Sequence, residues 1–544
     1  MNGHFICYDV RGIQGYVFQV PRLRYIIGGS ALVDWFDRDC AVEVAHRTDT
    51  KRIFSAGGRG AFQVTSSAHA TAVKRELLRE ARLIGMDLRF GVSESFSGAA
   101  NAADELYPYL PEGSELDGHP CYASGLFPVP AGRGKGPEGK VHRAIEARVY
   151  HKGEQLLRRF EERILEGDGA RYLPESLDPK RCVFLRNVSV SEGDIDSAKA
   201  GAGALGGRNR WAIVCMDGND MGRQFREASR CWKKDDATLI RWLVEMSQAL
   251  DQASLQACRA GIQAAIGQWV GDPANIKRAL QDNGDVVLPI RPLVVGGDDI
   301  VVLIRSDLAF TFVTAACDAF SVASSEASGR VGDLQLWPAK GDHLTISAGI
   351  LFAPVGLPLH TAIPYTESLL ALAKGRGRKS AKGGQSPACI DWEQVTEGLL
   401  DHPAHRRQRE LRFRDGDEDE IVELTRRPYT LADFRALQAL VASGLDGCPR
   451  SILHQVSREL RAGRDDRRVF RARLEKHQQG LADLLEEGPK GSPQRGKGRW
   501  RALDDGNGRS TDLIDALLLL EESGRMLRPT RRTEDLGIES EVGP

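Results

Sequence analysis

The sequence predicts an α+β protein in which one small domain of sheet and helices occurs twice before a helical carboxy-terminal region. Three observations predict it. PLVVGGDDIVVLI places paired glycines between two β-branched apolar runs, the pattern of a tight hairpin joining buried strands. RIFSAGGRGAFQV repeats that pattern near the amino terminus, which marks an internal duplication. After about residue 391 the chain turns helical and highly charged.

The elements follow in order. HFICYDVRGIQGYVFQV reads as a strand ending near Asp9 and a Gly-rich turn, and the helix after it carries Gly28, Gly29 and Ser30. With the RIFSAGGRGAFQV hairpin these make a first domain over residues 1–110. Residues 111–210 form a helical connector: GRGKGPEG is turn-rich, VHRAIEARVYHKGEQLLRRFEERILEG is a charged helix, and AKAGAGALGGRNR is a Gly/Ala linker. The second domain spans 211–395. In it RWAIVCMDG delivers Asp217 at the end of a strand, and Gly218, Asn219, Asp220, Met221 and Gly222 turn into a helix. A helical insertion occupies 230–280, where Trp242, Leu243 and Met246 fall at core spacing. The GGDD hairpin comes next, then HLTISAGILFAP as a strand, then PYTESLLALAKGRGRKS as an amphipathic helix ending in Lys374, Arg376, Arg378 and Lys379. That order fits the ferredoxin-like palm shared by nucleotide polymerases and cyclases.

The remaining chain reads as a helical domain over 396–527 and a mobile tail over 528–544. RRQRELRFRDGDEDEIVEL is a solvated connector, YTLADFRALQALVASG and PRSILHQVSRELRAG a helical pair, EEGPKGSPQRGKGRWRALDDGNGRS a linker, and TDLIDALLLLEES a last apolar helix.

Composition bounds the function. A chain of 544 residues has room for about three or four domains. A net charge of −1 and a pI near 6.9 advertise no overall basic field for nonspecific nucleic-acid binding. Ten cysteines without a CxxC pair argue against a zinc ribbon and a disulfide framework. No signal peptide opens the chain and no apolar run reads as membrane-spanning, so a cytoplasmic protein without a membrane partner is expected. GRGRKS fails the phosphate-loop spacing, and His402 and His405 in DHPAHRR read as a surface loop. No nucleophile triad is visible, and the basic run 495–501 reads as linker.

The chemistry lies in the acidic turns. Asp298 and Asp299 at the tip of an apolar hairpin are either a solvated turn or a buried pair needing a compensating cation. A divalent ion such as Mg²⁺ takes carboxylate oxygens together with substrate phosphates. Asp217 is a third carboxylate on the same sheet edge, and the turn after it exposes backbone N–H groups suited to phosphate.

MDGNDMG, VVGGDDIVVL, SAGI and ESLLALAKGRGRK together resemble the catalytic palm of the large subunit of type III CRISPR effector complexes, the CRISPR polymerase that makes cyclic oligoadenylates from ATP. GGDEF and class III cyclases share that palm more distantly. DVRGIQGYVF resembles the opening of the family's first palm, which faces the second so that two nucleotides are sandwiched between them.

The resemblance implies a nucleotidyltransferase with two Mg²⁺ or Mn²⁺ ions and ATP as substrate. It makes Asp217 and Asp298 bridging metal ligands, Asp299 a further ligand or orienting carboxylate, and the Gly218 carbonyl an additional ligand. Lys374 and Arg378 would neutralise the triphosphate, and the amides from Asn219 through Asp220 and Met221 to Gly222 would cradle its outer phosphates. Gly28, Gly29 and Ser30 would meet the acceptor nucleotide, while Ser347 faces either a base or the core. Gly57-Gly58-Arg59-Gly60 carries no carboxylate, so the first palm is expected to bind nucleotide without metals.

Two departures are visible: the chain lacks the HD dipeptide of the family's nuclease domain and the cysteine cluster between palms. The implied partners are CRISPR RNA and other effector subunits, or a second copy of the chain if it stands alone. Three functions therefore stay open: a cyclic oligoadenylate synthase in antiviral defence, a mainly structural large subunit of an RNA-guided complex, and a stand-alone mono- or dinucleotide cyclase.

Overall fold

A computed structural model gives the fold. It describes residues 4–10, 12–18, 23–105, 119–120, 128–129, 153–167, 170–171, 173–175, 177–185, 195–206, 210–232, 235–330, 335–337, 339, 341–396, 401–415, 420–442, 449–461, 464–475, 482–483, 485, 499–503 and 508–523. The GRGKGPEG turn, the first part of the charged helix after it and the tail 528–544 lie outside the described residues. The chain divides into two compact units, Met1–Gly398 and Leu399–Pro544.

The first unit contains both palms. β1 (His4–Val10) is followed by α1 (Ile13–Val17), α2 (Leu23–Trp35), a π-helical turn Phe36–Cys40 and α3 (Ala41–Arg47). β2 (Lys51–Ala56), β3 (Arg59–Val64), α4 (Ser67–Leu83), β4 (Leu88–Ser93) and α5 (Phe96–Glu105) complete it. The sheet order is β2-β3-β1-β4, with β1 antiparallel to both neighbours, as in a ferredoxin-like domain. Alternation along β1 sends Tyr8 against Phe36 and Phe62 on one face and Phe5 against Phe96 on the other. Both faces are covered, which is why this strand reads as a continuous apolar run.

α6 (Gly153–Leu165), β5 (Cys182–Phe184) and α7 (Ile195–Ala204) connect the palms. The Gly/Ala stretch expected as a linker is helical up to Ala204. Its small residues serve close packing: a Cβ on Gly203 would lie 2.0 Å from the Arg278 carbonyl oxygen.

The second palm comprises β6 (Arg210–Gly218), α8 (Met221–Cys231), α9 (Asp236–Val270), α10 (Pro273–Arg278), β7 (Val286–Leu288), β8 (Ile290–Gly296) and β9 (Asp299–Arg305). α11 (Ala309–Arg330), β10 (Ile346–Pro354), α12 (Leu359–Ser380) and β11 (Cys389–Gln394) follow. Its strands run β8-β9-β6-β10-β11, the order of the first palm with one parallel strand added at the edge. The duplication read from the sequence is thus a duplication of topology, and the protein is α+β as expected. α9 and α11 pack along each other beside this sheet. The segment Ser306–Ser328 has the length and the mean hydropathy of a membrane span (1.4), unlike the sequence reading, yet half of its window is buried as in a core helix.

The second unit carries α13 (Pro403–Glu410), β12 (Arg412–Asp415), β13 (Glu420–Glu423), α14 (Leu431–Leu440), α15 (Arg450–Glu459) and α16 (Arg464–Leu474). β14 (Trp500–Ala502), β15 (Gly508–Thr511) and α17 (Leu513–Glu522) close it. The expected helices are joined by a four-stranded sheet, β12-β13-β15-β14, that the sequence reading did not foresee. The stretch read as a solvated connector supplies α13 and the β12–β13 hairpin, and the end of the expected linker supplies β14 and the start of β15. His402 is a helix cap, its Nδ1 accepting from the Ala404 amide at 3.3 Å. Asp515 is fully buried and is held by Arg427 at 2.9 Å, Tyr429 Oη at 2.7 Å, Thr425 Oγ1 at 2.8 Å and the Arg426 amide at 2.8 Å.

Candidate active site

β6 lies between β9 and β10, and its register places Asp217 opposite Asp299 on one side and Ser347 on the other. Directly opposed residues project from the same face, so two carboxylates sit side by side across the strands, an arrangement that is destabilising without a counter-charge. Asp298 occupies the tip of the β8–β9 hairpin, next to Asp299 in the chain. Its carbonyl accepts from the Gly218 amide at 3.2 Å, and a Cβ on Gly218 would stand 2.9 Å from the Asp298 Cβ. Glycine is what allows the strand end to approach the tip.

The electrostatics follow from this crowding. Burial, then the charges of Asp217 and Asp299, hold the Asp298 carboxyl well above the usual carboxylate range. Burial and then Asp217 push Asp299 up to about 7, with Lys374 opposing. Glu367 on α12 is also raised, by burial. Among the described residues Lys374 answers them directly, its Nζ pairing with Asp217 Oδ2. An oxygen-only set of crowded carboxylates is of the donor type that suits a hard divalent ion. Among the described residues no three His, Cys, Asp or Glu side chains close into a finished ligand group.

The turn after Asp217 is held by a buried network. Asn219 donates its amide to the Thr345 carbonyl (2.8 Å) and its Nδ2 to Thr345 Oγ1 (2.8 Å), and its Oδ1 accepts from Ser347 Oγ (3.0 Å). Ser347 is fully buried and accepts from the Cys389 amide at 3.1 Å. It lines neither cavity of the site. The Asn219 amide, expected to face phosphate, is likewise already used. Asp220 takes a left-handed φ of 62°, and its carboxylate accepts from Ser386 N and Oγ, each at 2.9 Å, while Arg223 pairs with it at 3.3 Å. Asp220 thus ties the start of α8 to the loop after α12.

Two cavities meet at Asp298 and Met221. The first, of 540 Å³, is bounded by the turn Asp217–Gly222, by Lys374 and Arg378 and by Arg223 and Arg226. The sequence reading missed the last two, although they follow the turn at helical spacing. The first-turn amides of Met221 and Gly222 border this cavity, at the positive end of α8. The second, of 830 Å³, lies between the palms and is walled by Phe96, Phe225, Trp242, Leu243 and Met246, with Asp9 and Arg59 on the first-palm side. Trp242 and Met246 are buried as expected for core, and they also form this wall. Gly28, Gly29 and Ser30 are buried in α2 and do not line it; Ser30 borders an adjoining cavity of 360 Å³ that shares Phe54, Ala56, Gly57, Ser247 and Gly297 with it and extends to Asp299.

The first palm repeats the geometry with different charges. Asp9 pairs in register with Arg59 as Asp217 does with Asp299. Val10 donates to the Gly58 carbonyl at 2.7 Å as Gly218 does to Asp298. The hairpin pairs Ala56↔Arg59 and Gly296↔Asp299 correspond, and Gly57 and Gly297 both have φ of 60°. Arg59 therefore stands where the second palm has Asp299, and Gly58 where it has Asp298.

Comparison with known proteins points to the same palm fold. Residues 210–382 match the family model described as the second palm domain of Cas10/Cmr2. A Csm1–Csm4 cassette in complex with cA4 is similar in structure, with a TM-score of 0.51 at 13% identity over 97% of this chain and 70% of that chain. Csm1 in T. onnurineus gives a TM-score of 0.47 at 14% identity over 96% of this chain and 70% of that one. No curated protein matches the chain. At such identities the solved structures speak to the fold alone. The chain resembles the large subunit of type III CRISPR effector complexes in its palm fold and, over residues 210–382, in its sequence pattern.

Proposed function

We propose that the palm pair is a metal-dependent nucleotidyltransferase that condenses ATP into cyclic oligoadenylates with release of pyrophosphate, serving CRISPR-type antiviral defence in the cytoplasm. The observation that carries this is Asp298, placed where a cation-lined cavity that also holds Asp217 meets an apolar one, with Asp299 next to it on β9 and opposite Asp217. A nucleoside triphosphate is amphipathic in the same way.

Asp217, Asp298 and Asp299, with the Gly218 carbonyl, would hold two Mg²⁺ or Mn²⁺ ions. Such ions, when bound, lower the pKa of an attacking ribose hydroxyl and stabilise the leaving oxygen. The chain's own groups do the rest. Lys374 and Arg378, with the Met221 and Gly222 amides, bind and orient the β- and γ-phosphates. Asn219 and Asp220 fix the turn that aims those amides. The Phe225–Trp242 wall takes the base and excludes water from the α-phosphorus, where the bond to the incoming oxygen forms as the bond to pyrophosphate breaks.

The Csm1–Csm4 cassette that the chain resembles was solved in complex with cA4, which supports both the product class and assembly with an effector subunit. Assembly with CRISPR RNA and further subunits belongs to the same proposal.

Product analysis by mass spectrometry tests it. The protein is incubated with each NTP and Mg²⁺ or Mn²⁺, beside an Asp298→Ala/Asp299→Ala control. Cyclic oligoadenylates from the intact protein alone are expected. Equal product from the control would refute the site. Another cyclic product would establish a different cyclase.

A further inference from the structure

Each hairpin tip is clasped by a buried polar side chain. In the first palm Asp37 accepts from the Gly58 amide at 2.7 Å. In the second, Ser254 of α9 donates to the Gly297 carbonyl at 2.6 Å, immediately before Asp298. The neighbours of these two clasps meet. Arg38, next to Asp37, donates Nη2 to both carboxylate oxygens of Asp251, each at 2.8 Å, and Asp251 stands one helical turn before Ser254. From this, resting for its consequence in catalysis on the reading of the site given above, we infer that the Arg38–Asp251 ion pair is a positioning link that couples the hairpin carrying Asp298 and Asp299 to the hairpin of the first palm.

The route is short and built of stiff parts. Gly58 hangs on Asp37, Asp37 and Arg38 share the π-helical turn Phe36–Cys40, and Asp251 and Ser254 share one face of the long helix α9. A π turn within a helix is uncommon and often accompanies function. The pair is also braced. Arg38 Nε donates to Asp34 at 2.9 Å. Arg163 of the connector helix α6 donates to Asp34 at 2.9 Å and to the Val295 carbonyl of β8 at 3.1 Å. Several charges held in a network keep their geometry better than an isolated surface pair. Arg38 and Asp251 border the 360 Å³ cavity that also touches Gly57 and Gly297, so the ion pair lies beside both turns. A displacement of about 1 Å at either tip is enough to misalign reacting groups held between the palms.

The test is hydrogen–deuterium exchange of the β2–β3 and β8–β9 hairpins, which needs neither turnover nor nucleotide. Ser254→Ala frees the second-palm tip and should speed exchange in the first-palm hairpin by about threefold, the size expected of a partly exposed ion pair. In an Arg38→Gln background the same change should leave the first-palm hairpin unaltered, whereas in Arg38→Lys the effect should persist. Coupling is reciprocal, so Asp37→Ala should speed exchange in the β8–β9 hairpin by the same factor, and only where Arg38 and Asp251 are intact. That second direction decides the matter if Ser254→Ala fails to fold. In the condensation assay Arg38→Gln should lower kcat by about tenfold at unchanged KM, because the misplaced tip acts after nucleotide has bound. An effect confined to the altered palm would overturn the link. So would an equal effect without Arg38, which is what the packing of α9 against β2 would give by itself. Unchanged kcat beside lost coupling would overturn the positioning role. Coupled exchange in a protein that makes no oligoadenylate would uphold the link and overturn the product reading instead.

Discussion

Asp299→Asn should stabilise the metal-free protein, although it removes a residue assigned to the chemistry. Asp299 is half-buried, faces Asp217 across the strands, and titrates near 7 instead of 3.8, chiefly through burial and the Asp217 charge. Below pH 3.8 the carboxyl is protonated in the folded and the unfolded chain alike and costs nothing. Between pH 3.8 and about 7 only the unfolded chain ionises it, so stability falls with rising pH. At about 1.4 kcal/mol per pH unit the penalty reaches at most about 4 kcal/mol and is constant above pH 7.

With about 2.1 cal/mol/K of unfolding entropy per residue, applied to the unit Met1–Gly398, this corresponds to about 5 °C. The assay is thermal unfolding of both proteins in EDTA from pH 4 to 8.5, repeated with Mg²⁺. The variant should melt higher at pH 8 and lose its advantage by pH 4. Mg²⁺ should raise the melting temperature of the original protein more than that of the variant. A variant that melts at or below the original at pH 8 in EDTA would refute the claim that this cluster is electrostatically strained.

Lys374→Ala removes the cation paired with Asp217 on the phosphate-side cavity; nucleotide affinity in Mg²⁺, read by titration, should fall about thirtyfold, the equivalent of about 2 kcal/mol for a charged contact. Gly218→Ala would push a methyl group against the Asp298 side chain, 2.9 Å from its Cβ; turnover should fall by at least about tenfold with the circular dichroism spectrum unchanged, since the disturbance is confined to the hairpin tip. Asn219→Ala deletes buried bonds to Thr345 and Ser347 and should cost about 2 kcal/mol in urea unfolding. The same change should weaken triphosphate binding, because it frees the turn that carries the Met221 and Gly222 amides.

Much of this protein was legible along the chain because the signals are local. Paired glycines between β-branched runs announce a hairpin wherever they occur, and a carboxylate ending an apolar strand announces a site. That was enough to single out Asp217, Asp298 and Asp299 as candidates, and to see that the palm occurs twice. Local pattern also misled where it was ambiguous. AKAGAGALGG has the composition of a linker, yet its small side chains let a helix lie against the Arg278 backbone.

The tertiary structure decided what depends on partners distant in sequence. The carboxy-terminal sheet pairs Ile421 with Gly508, and no periodicity within either segment could announce that union. The hydrogen bonds that Ser347 makes with Asn219 and Cys389 join residues 128 and 42 positions apart, and only the fold shows them. The correspondence of Arg59 with Asp299 is the plainest case. Written out, GGRG and GGDD align Arg59 with Asp298; the ladder shifts the match by one, because register is set by cross-strand hydrogen bonds and the pleat. The sequence alone determined which side chains were available for chemistry, since residue type and local turn geometry are properties of short segments. Which of them stand opposite one another, and which are already satisfied, only the folded sheets decided, since that depends on backbone pairing between segments far apart in the chain.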